Sequence, residues 1–132
     1  MLPHEFSRLG PALAVGDVNG DGKEDVFLGG STGFSGTLYL QEEGQTFTKS
    51  SSLFDKGQED VDALFLDVDL DNDLDLYVVS GGSNGSSDYA NYQDRLYEND
   101  GAGNFHRNLS ALPSMPSSGS CVRPYDIDAD GD

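Results

Sequence analysis

Residues 16–28 read Gly-Asp-Val-Asn-Gly-Asp-Gly-Lys-Glu-Asp-Val-Phe-Leu, and residues 66–78 read Leu-Asp-Val-Asp-Leu-Asp-Asn-Asp-Leu-Asp-Leu-Tyr-Val. In the first stretch Asp17, Asn19 and Asp21 alternate, and Asp25 follows after a gap. The second repeats that spacing with Asp67, Asp69, Asp71 and Asp75. The pattern starts a third time at Asp126, Asp128 and Asp130, and the sequence ends at Asp132. One pattern met three times marks a repeat protein.

Calcium is a hard cation that takes about 6–8 oxygen ligands at roughly 2.3–2.6 Å. A tight loop with acceptors at its first, third and fifth positions wraps them around one point. The sixth position must turn sharply. Gly22 and Gly131 stand there, and Asn72 holds the place in the second loop, glycine and then asparagine being the residues that best tolerate positive φ. The seventh position (Lys23, Asp73, Asp132) would give its backbone carbonyl, leaving its side chain free to vary. Asp25 and Asp75 would close the cage. Without a cation such loops repel themselves. An EF-hand begins the same way but needs a bidentate Glu at its twelfth position and flanking helices. Here that position is Leu28 or Val78, and the exits Val26–Leu28 and Leu76–Val79 are short, β-branched and aromatic, so the loops join strands.

The 132 residues carry 24 acidic against 7 basic side chains, a formal net charge of −17, and about half of the acids lie in the three loops. Such a chain repels phosphate backbones, which excludes nucleic acid as a partner. It suits millimolar calcium, hence an extracellular, cell-surface or periplasmic setting. The single cysteine, Cys121, excludes an internal disulfide and is expected to be a small buried hydrophobe beside Val122. No apolar run approaches the ~20 residues of a membrane-spanning helix, so no membrane insertion is expected. Met1–His4 has neither the basic region nor the apolar core of a leader; an exported protein would carry its leader outside these residues.

Short strands organise the rest. Pro11–Gly16 runs into the first loop and Val26–Leu28 leaves it; Gly36–Gln41 and Gln45–Lys49 follow. The order repeats with Asp62–Leu66, Leu76–Val79, Arg95–Glu98 and Asn104–Arg107, Phe105 taking the place of Phe47. A third unit opens at Ser120–Asp126. Four strands per unit, repeated at roughly 50–60 residues, predict β-propeller blades. The expected organisation is a remnant of a preceding blade (1–10), two repeats (11–58 and 59–112) and the start of a third (113–132). No convincing 3.6-residue apolar period occurs, so helices should be few.

Residues 16–25 and 66–76, with matching strands downstream, resemble the calcium motifs of FG-GAP/VCBS repeats, which build the propellers of integrin α subunits and of many exported bacterial proteins. The resemblance covers nearly the whole chain. It implies an all-β fold of propeller blades, each of four antiparallel strands with a calcium loop between its first two. It implies Ca2+ held at one site by Asp17, Asn19, Asp21, Asp25 and the Lys23 carbonyl, and at another by Asp67, Asp69, Asp71, Asp75 and the Asp73 carbonyl. Asn72 departs from the usual loop glycine, and the third loop lacks its closing position. Propellers need about four to eight blades, so this one is incomplete.

Catalysis is not expected. His4 and His106 stand far apart, His106 on an outer solvated strand, and there is no nucleophile elbow, phosphate-binding loop or Cys/His cluster. The paired acids are accounted for by metal coordination. The Gly- and Ser-rich stretch 80–93 carries Asp88, Tyr89 and Tyr92 and opens on the face opposite the metal loops. It reads either as a recognition surface or as a merely long connection. Asn84 and Asn108 head formal glycosylation sequons. The expected role is recognition or adhesion towards a protein or carbohydrate ligand, with structural calcium; the alternative is a non-catalytic accessory module of a larger extracellular enzyme. Bare terminal blades also give copies a reason to associate and complete a ring.

Overall fold

A computed structural model of the chain describes residues 11–82, 92–115 and 117–125. Eight strands form in chain order: β1 Leu13–Gly16, β2 Asp25–Leu28, β3 Thr37–Gln41, β4 Phe47–Lys49, β5 Glu59–Leu66, β6 Asp75–Gly81, β7 Arg95–Asn99 and β8 Phe105–Asn108. They make two antiparallel meanders, β1-β2-β3-β4 and β5-β6-β7-β8. These are the two four-stranded blades that the strand spacing predicts. The described residues contain no α-helix. Both acidic loops join the first two strands of their blade, and equivalent pairs set the register: Gly16 faces Asp25, and Leu66 faces Asp75.

Each strand alternates between two faces, and the blades use opposite ones to meet. From the first blade come Ala14, Phe27 and Leu38, in register across β1, β2 and β3. From the second come Ala63, Phe65, Leu76, Val78 and Tyr97. Phe54, in the connection between blades, fills the seam. Its ring packs edge-on against Phe27 and Tyr97, with centroids 5.1 Å apart in each case, and it leans on Phe105 at 6.1 Å. All of these side chains are buried except Phe65, which is partly so. The stacking of one blade on the next thus supplies the core that neither sheet has alone.

At the end away from the acidic loops the seam is polar. Asp60 Oδ2 accepts the Gly30 N–H (2.6 Å) and its Oδ1 accepts from the Arg95 guanidinium, while Arg95 Nε donates to Ser80 Oγ (3.3 Å). The Arg95 and Asp60 side chains are 1% and 2% exposed. Backbone bonds run alongside, from Ala12 N–H to the Asp60 carbonyl (3.2 Å) and from Asp60 N–H to the Gly30 carbonyl (3.1 Å). The glycine pair 29–30 allows this approach, since a Cβ on Gly29 would lie 2.7 Å from the Asp60 Cβ.

The same contact recurs one blade on, where Gly119 N–H donates to the Ser80 carbonyl (2.9 Å). Val122 N–H and Arg123 then bond Asp62 Oδ2, each at 3.0 Å. Two expectations are corrected here. The described part of the expected opening strand, residues 120–125, has no regular structure, and Cys121 is exposed, because this segment lies along the blade by isolated polar contacts. His106 is exposed on β8, as expected. Residues 1–10, with the blade remnant expected there, lie outside the described residues.

Candidate metal centre

The two acidic loops fold alike, and aspartate side chains direct the fold. In the first, Asp17 accepts the Asp21 N–H at Oδ1 (3.1 Å) and the Gly22 N–H at Oδ2 (2.8 Å). In the second, Asp67 accepts the Asp71 N–H at Oδ1 (3.2 Å) and the Asn72 N–H at Oδ2 (3.0 Å). Asp21 and Asp71 repeat the device on Lys23 N–H (2.9 Å) and Asp73 N–H (3.0 Å). Each short carboxylate binds its own backbone a few residues on, which curls the chain around the alternate positions.

The sixth position is left-handed in both loops, with φ 80 at Gly22 and 72 at Asn72. So is the fourth, with φ 71 at Gly20 and 63 at Leu70. The sequence reading missed this second reversal, though Gly20 was a signal of it. Leu70 bears the steric cost of that conformation.

Asp25 and Asp75 are buried at the root of the loops. Asp25 Oδ2 accepts the Val18 N–H (3.0 Å) and Oδ1 the Gln41 N–H (2.8 Å). Asp75 does the same with Val68 N–H (3.1 Å) and Asn99 N–H (2.9 Å). The ninth residue therefore ties each loop to the third strand of its blade. These bonds use two of a carboxylate's roughly four lone-pair sites, leaving acceptor capacity for a cation.

The loops differ in charge. In the second, carboxylate oxygens of Asp67, Asp69 and Asp71 all lie within 4.8 Å of one another. Asp73 Oδ1 is buried without a hydrogen-bond partner. Its carboxyl is pushed up to about 6, by desolvation first and then by Asp71, Asp75 and Asp69. Asp69 is raised for the same reasons. Oxygens crowded enough to favour protons fit a hard divalent cation, which would remove the repulsion. In the first loop Lys23 Nζ pairs with Asp21 Oδ2 at 3.0 Å, holding the Asp21 carboxyl below its ordinary value. The seventh side chain is thus not free to vary: it shields the first loop and charges the second.

Of the other expected site residues, Tyr92 is half-buried at the foot of the β6–β7 connection. Asp88 and Tyr89 lie outside the described residues, as do Asp126, Asp128 and Asp130 of the third loop.

Residues 17–78, which span both loops and the strands between them, match the FG-GAP-like repeat family. No curated protein and no solved structure gives a significant match.

Proposed function

From a chain whose residues 17–78 match the FG-GAP-like repeat family, we propose a calcium-binding propeller segment of an exported protein, serving recognition or adhesion without catalysis. The observation that carries the reading is the second loop, where three carboxylates converge within 4.8 Å and a fourth, Asp73, has a buried oxygen without a partner. The cation belongs to Asp67, Asp69, Asp71, Asp75 and the Asp73 carbonyl, and in the first loop to Asp17, Asn19, Asp21, Asp25 and the Lys23 carbonyl. Bound calcium would supply charge neutralisation and loop rigidity. The affinity expected of an extracellular module is about 10⁻⁴–10⁻³ M. Calorimetry with calcium chloride tests this: two sites are expected, with Asp21→Ala and Asp71→Ala each removing one. Equal heat in both variants and the parent would refute the assignment.

A second observation favours association between copies. The face of the second blade that packs on the first presents Ala63, Phe65, Leu76, Tyr97 and Phe105. Its counterpart on the first blade presents Leu13, Val15, Val26, Tyr39 and Phe47, of which Leu13, Val15 and Phe47 are exposed by 55%, 49% and 49%. A face built like a blade seam and exposed at Leu13, Val15 and Phe47 among the described residues fits a blade from a second copy. The charge of −17 opposes that contact, and calcium lessens the opposition.

A further inference from the structure

Asn99, at the end of β7, stands where the backs of the two loops meet. Its side-chain Nδ2 donates to the Val18 carbonyl of the first loop (2.7 Å) and to the Leu74 carbonyl of the second (3.1 Å). Its Oδ1 accepts the N–H groups of Asp100 (2.9 Å) and Gly103 (3.0 Å). Its own N–H goes to Asp75 Oδ1 (2.9 Å). A primary amide offers two donors and two acceptor lone pairs, and all four are used. Asn99 therefore has one settled orientation, and both loops depend on it.

The turn that Asn99 holds lies between the loops. A Cβ on Gly103 would sit 3.6 Å from Val18 Cγ2 and 3.7 Å from Asn19 Cβ, and one on Gly101 would sit 3.3 Å from Asp73 Oδ2. Both glycines are left-handed, with φ 76 and 82, so the turn approaches each loop with bare backbone. Val18 is only 1% exposed, so the first loop is anchored in the same buried region. At the equivalent place in the first blade, Gln41 repeats the backbone bond to the ninth-position carboxylate (2.8 Å).

We propose that Asn99 couples the two loops, so that calcium in either one raises the affinity of the other; this rests on the calcium reading above. A cation in the second loop fixes Asp75 and the Leu74 carbonyl, and with them the Asn99 amide. The fixed amide then holds the Val18 carbonyl, and the first loop is partly ordered before its own cation arrives. A second binding event that finds the loop already ordered costs less entropy. The effect runs equally in both directions, since coupling of binding free energies is reciprocal. Asn99 acts here as a positioning residue and touches no cation.

The test is calcium chloride calorimetry on the full chain, on Asp21→Ala (first loop disabled) and on Asp71→Ala (second loop disabled). The first loop should bind at least about fivefold more tightly when the second is filled than it does in Asp71→Ala, the low end of ordinary coupling. The second loop should show the same factor against Asp21→Ala. Asn99→Ala should bring both ratios to near one while each loop still binds. The ratios are measured in proteins that retain Asn99, so they decide the coupling even if Asn99→Ala does not fold. The role of Asn99 itself is then read by NMR in Asp21→Ala: filling the second loop should shift the Asn99 side-chain amide and slow hydrogen exchange at Val18. Two filled loops with unchanged affinities overturn the coupling alone. Coupling that survives in a folded Asn99→Ala, or an Asn99 amide indifferent to calcium, overturns the assignment to Asn99. Absence of any calcium heat in the parent chain overturns the calcium reading and the coupling together.

Discussion

Replacing Arg95 with Met isolates the polar clamp that joins the blades at the end away from the acidic loops. Met approximates the volume of the arginine stem, so the lesion is electrostatic rather than a cavity. Asp60 would keep the Gly30 N–H at 2.6 Å but lose the guanidinium. With side chains only 1% and 2% exposed, water cannot take the place of the lost partner. Removing one member of a buried pair costs about 3–5 kcal/mol, because the other charge is stranded. For a chain of this length each 1 kcal/mol moves Tm by roughly 3–5 °C, so the melt should fall by about 10–25 °C. Domains of ordinary stability have only about 5–15 kcal/mol in total, and the variant should sit close to unfolding at 37 °C. The double variant Asp60→Ala/Arg95→Met removes both charges, leaving the Gly30 N–H as the orphan at a cost of about 1–3 kcal/mol. It should therefore melt above Arg95→Met. Urea titration followed by near-ultraviolet circular dichroism measures both changes. A loss under about 1 kcal/mol in the single variant, or a double variant less stable than Arg95→Met, would refute the claim that this clamp holds the blades together.

Calcium at ten times its dissociation constant should stabilise the fold by about 1.4 kcal/mol per site, so chelation should lower Tm by several degrees; an unchanged melt after verified calcium removal would show that the metals are not structural. Lys23→Gln removes the cation that pairs with Asp21 at 3.0 Å, and calorimetry should show tighter calcium binding at the first loop, with the second loop gaining only through its coupling to the better-filled first. Tyr77 is pushed up to about 12 by burial and by its bond to Asp94 (2.9 Å). The unfolded chain ionises this phenol near pH 10 and the folded one only near 12, so stability is full below 10 and declines across that window; Tyr77→Phe should flatten the decline in melts recorded against pH. Light scattering after size exclusion should show more association in calcium than in chelator, and Val15→Lys should abolish it; a monomer at high protein concentration with saturating calcium would exclude it.

The local features were legible because each is written in a few adjacent residues. All eight strands fall within three residues of where alternating and β-branched runs place them, and the acidic loops are visible as spacing alone. What escaped was what one blade does to the other. Asn99 bonds Val18 across 81 positions of sequence, and Asp60 bonds Arg95 across 35; no periodicity carries such pairs. Phe47 and Phe105 occupy equivalent places in the repeat, yet Phe47 is exposed and Phe105 buried. Neighbouring blades decide burial here, and composition does not. Cys121 was misplaced for a related reason, since a short apolar run beside Val122 means burial only where a sheet forms to receive it.

Leu70 adds backbone strain to the second loop. A leucine at φ 63, 62% exposed, gains little from burial and bears a local steric cost of about 1–2 kcal/mol. The first loop avoids that cost with Gly20 at the same position. The loop with more acidic side chains thus also holds the more strained backbone, and both penalties oppose the curl that a cation needs. Asp67 holds the curl against them through bonds of 3.2 and 3.0 Å, with the same carboxylate that faces Asp69 and Asp71. A cation seated there would reinforce the conformation that the strain opposes. Leu70→Gly should accordingly tighten calcium binding at the second loop, because the cation no longer has to hold a leucine at positive φ. Melts of that variant with and without calcium check this, because the freedom of glycine in the unfolded chain lowers Tm in both conditions whereas relief of strain in the curl that holds the cation raises it most in calcium.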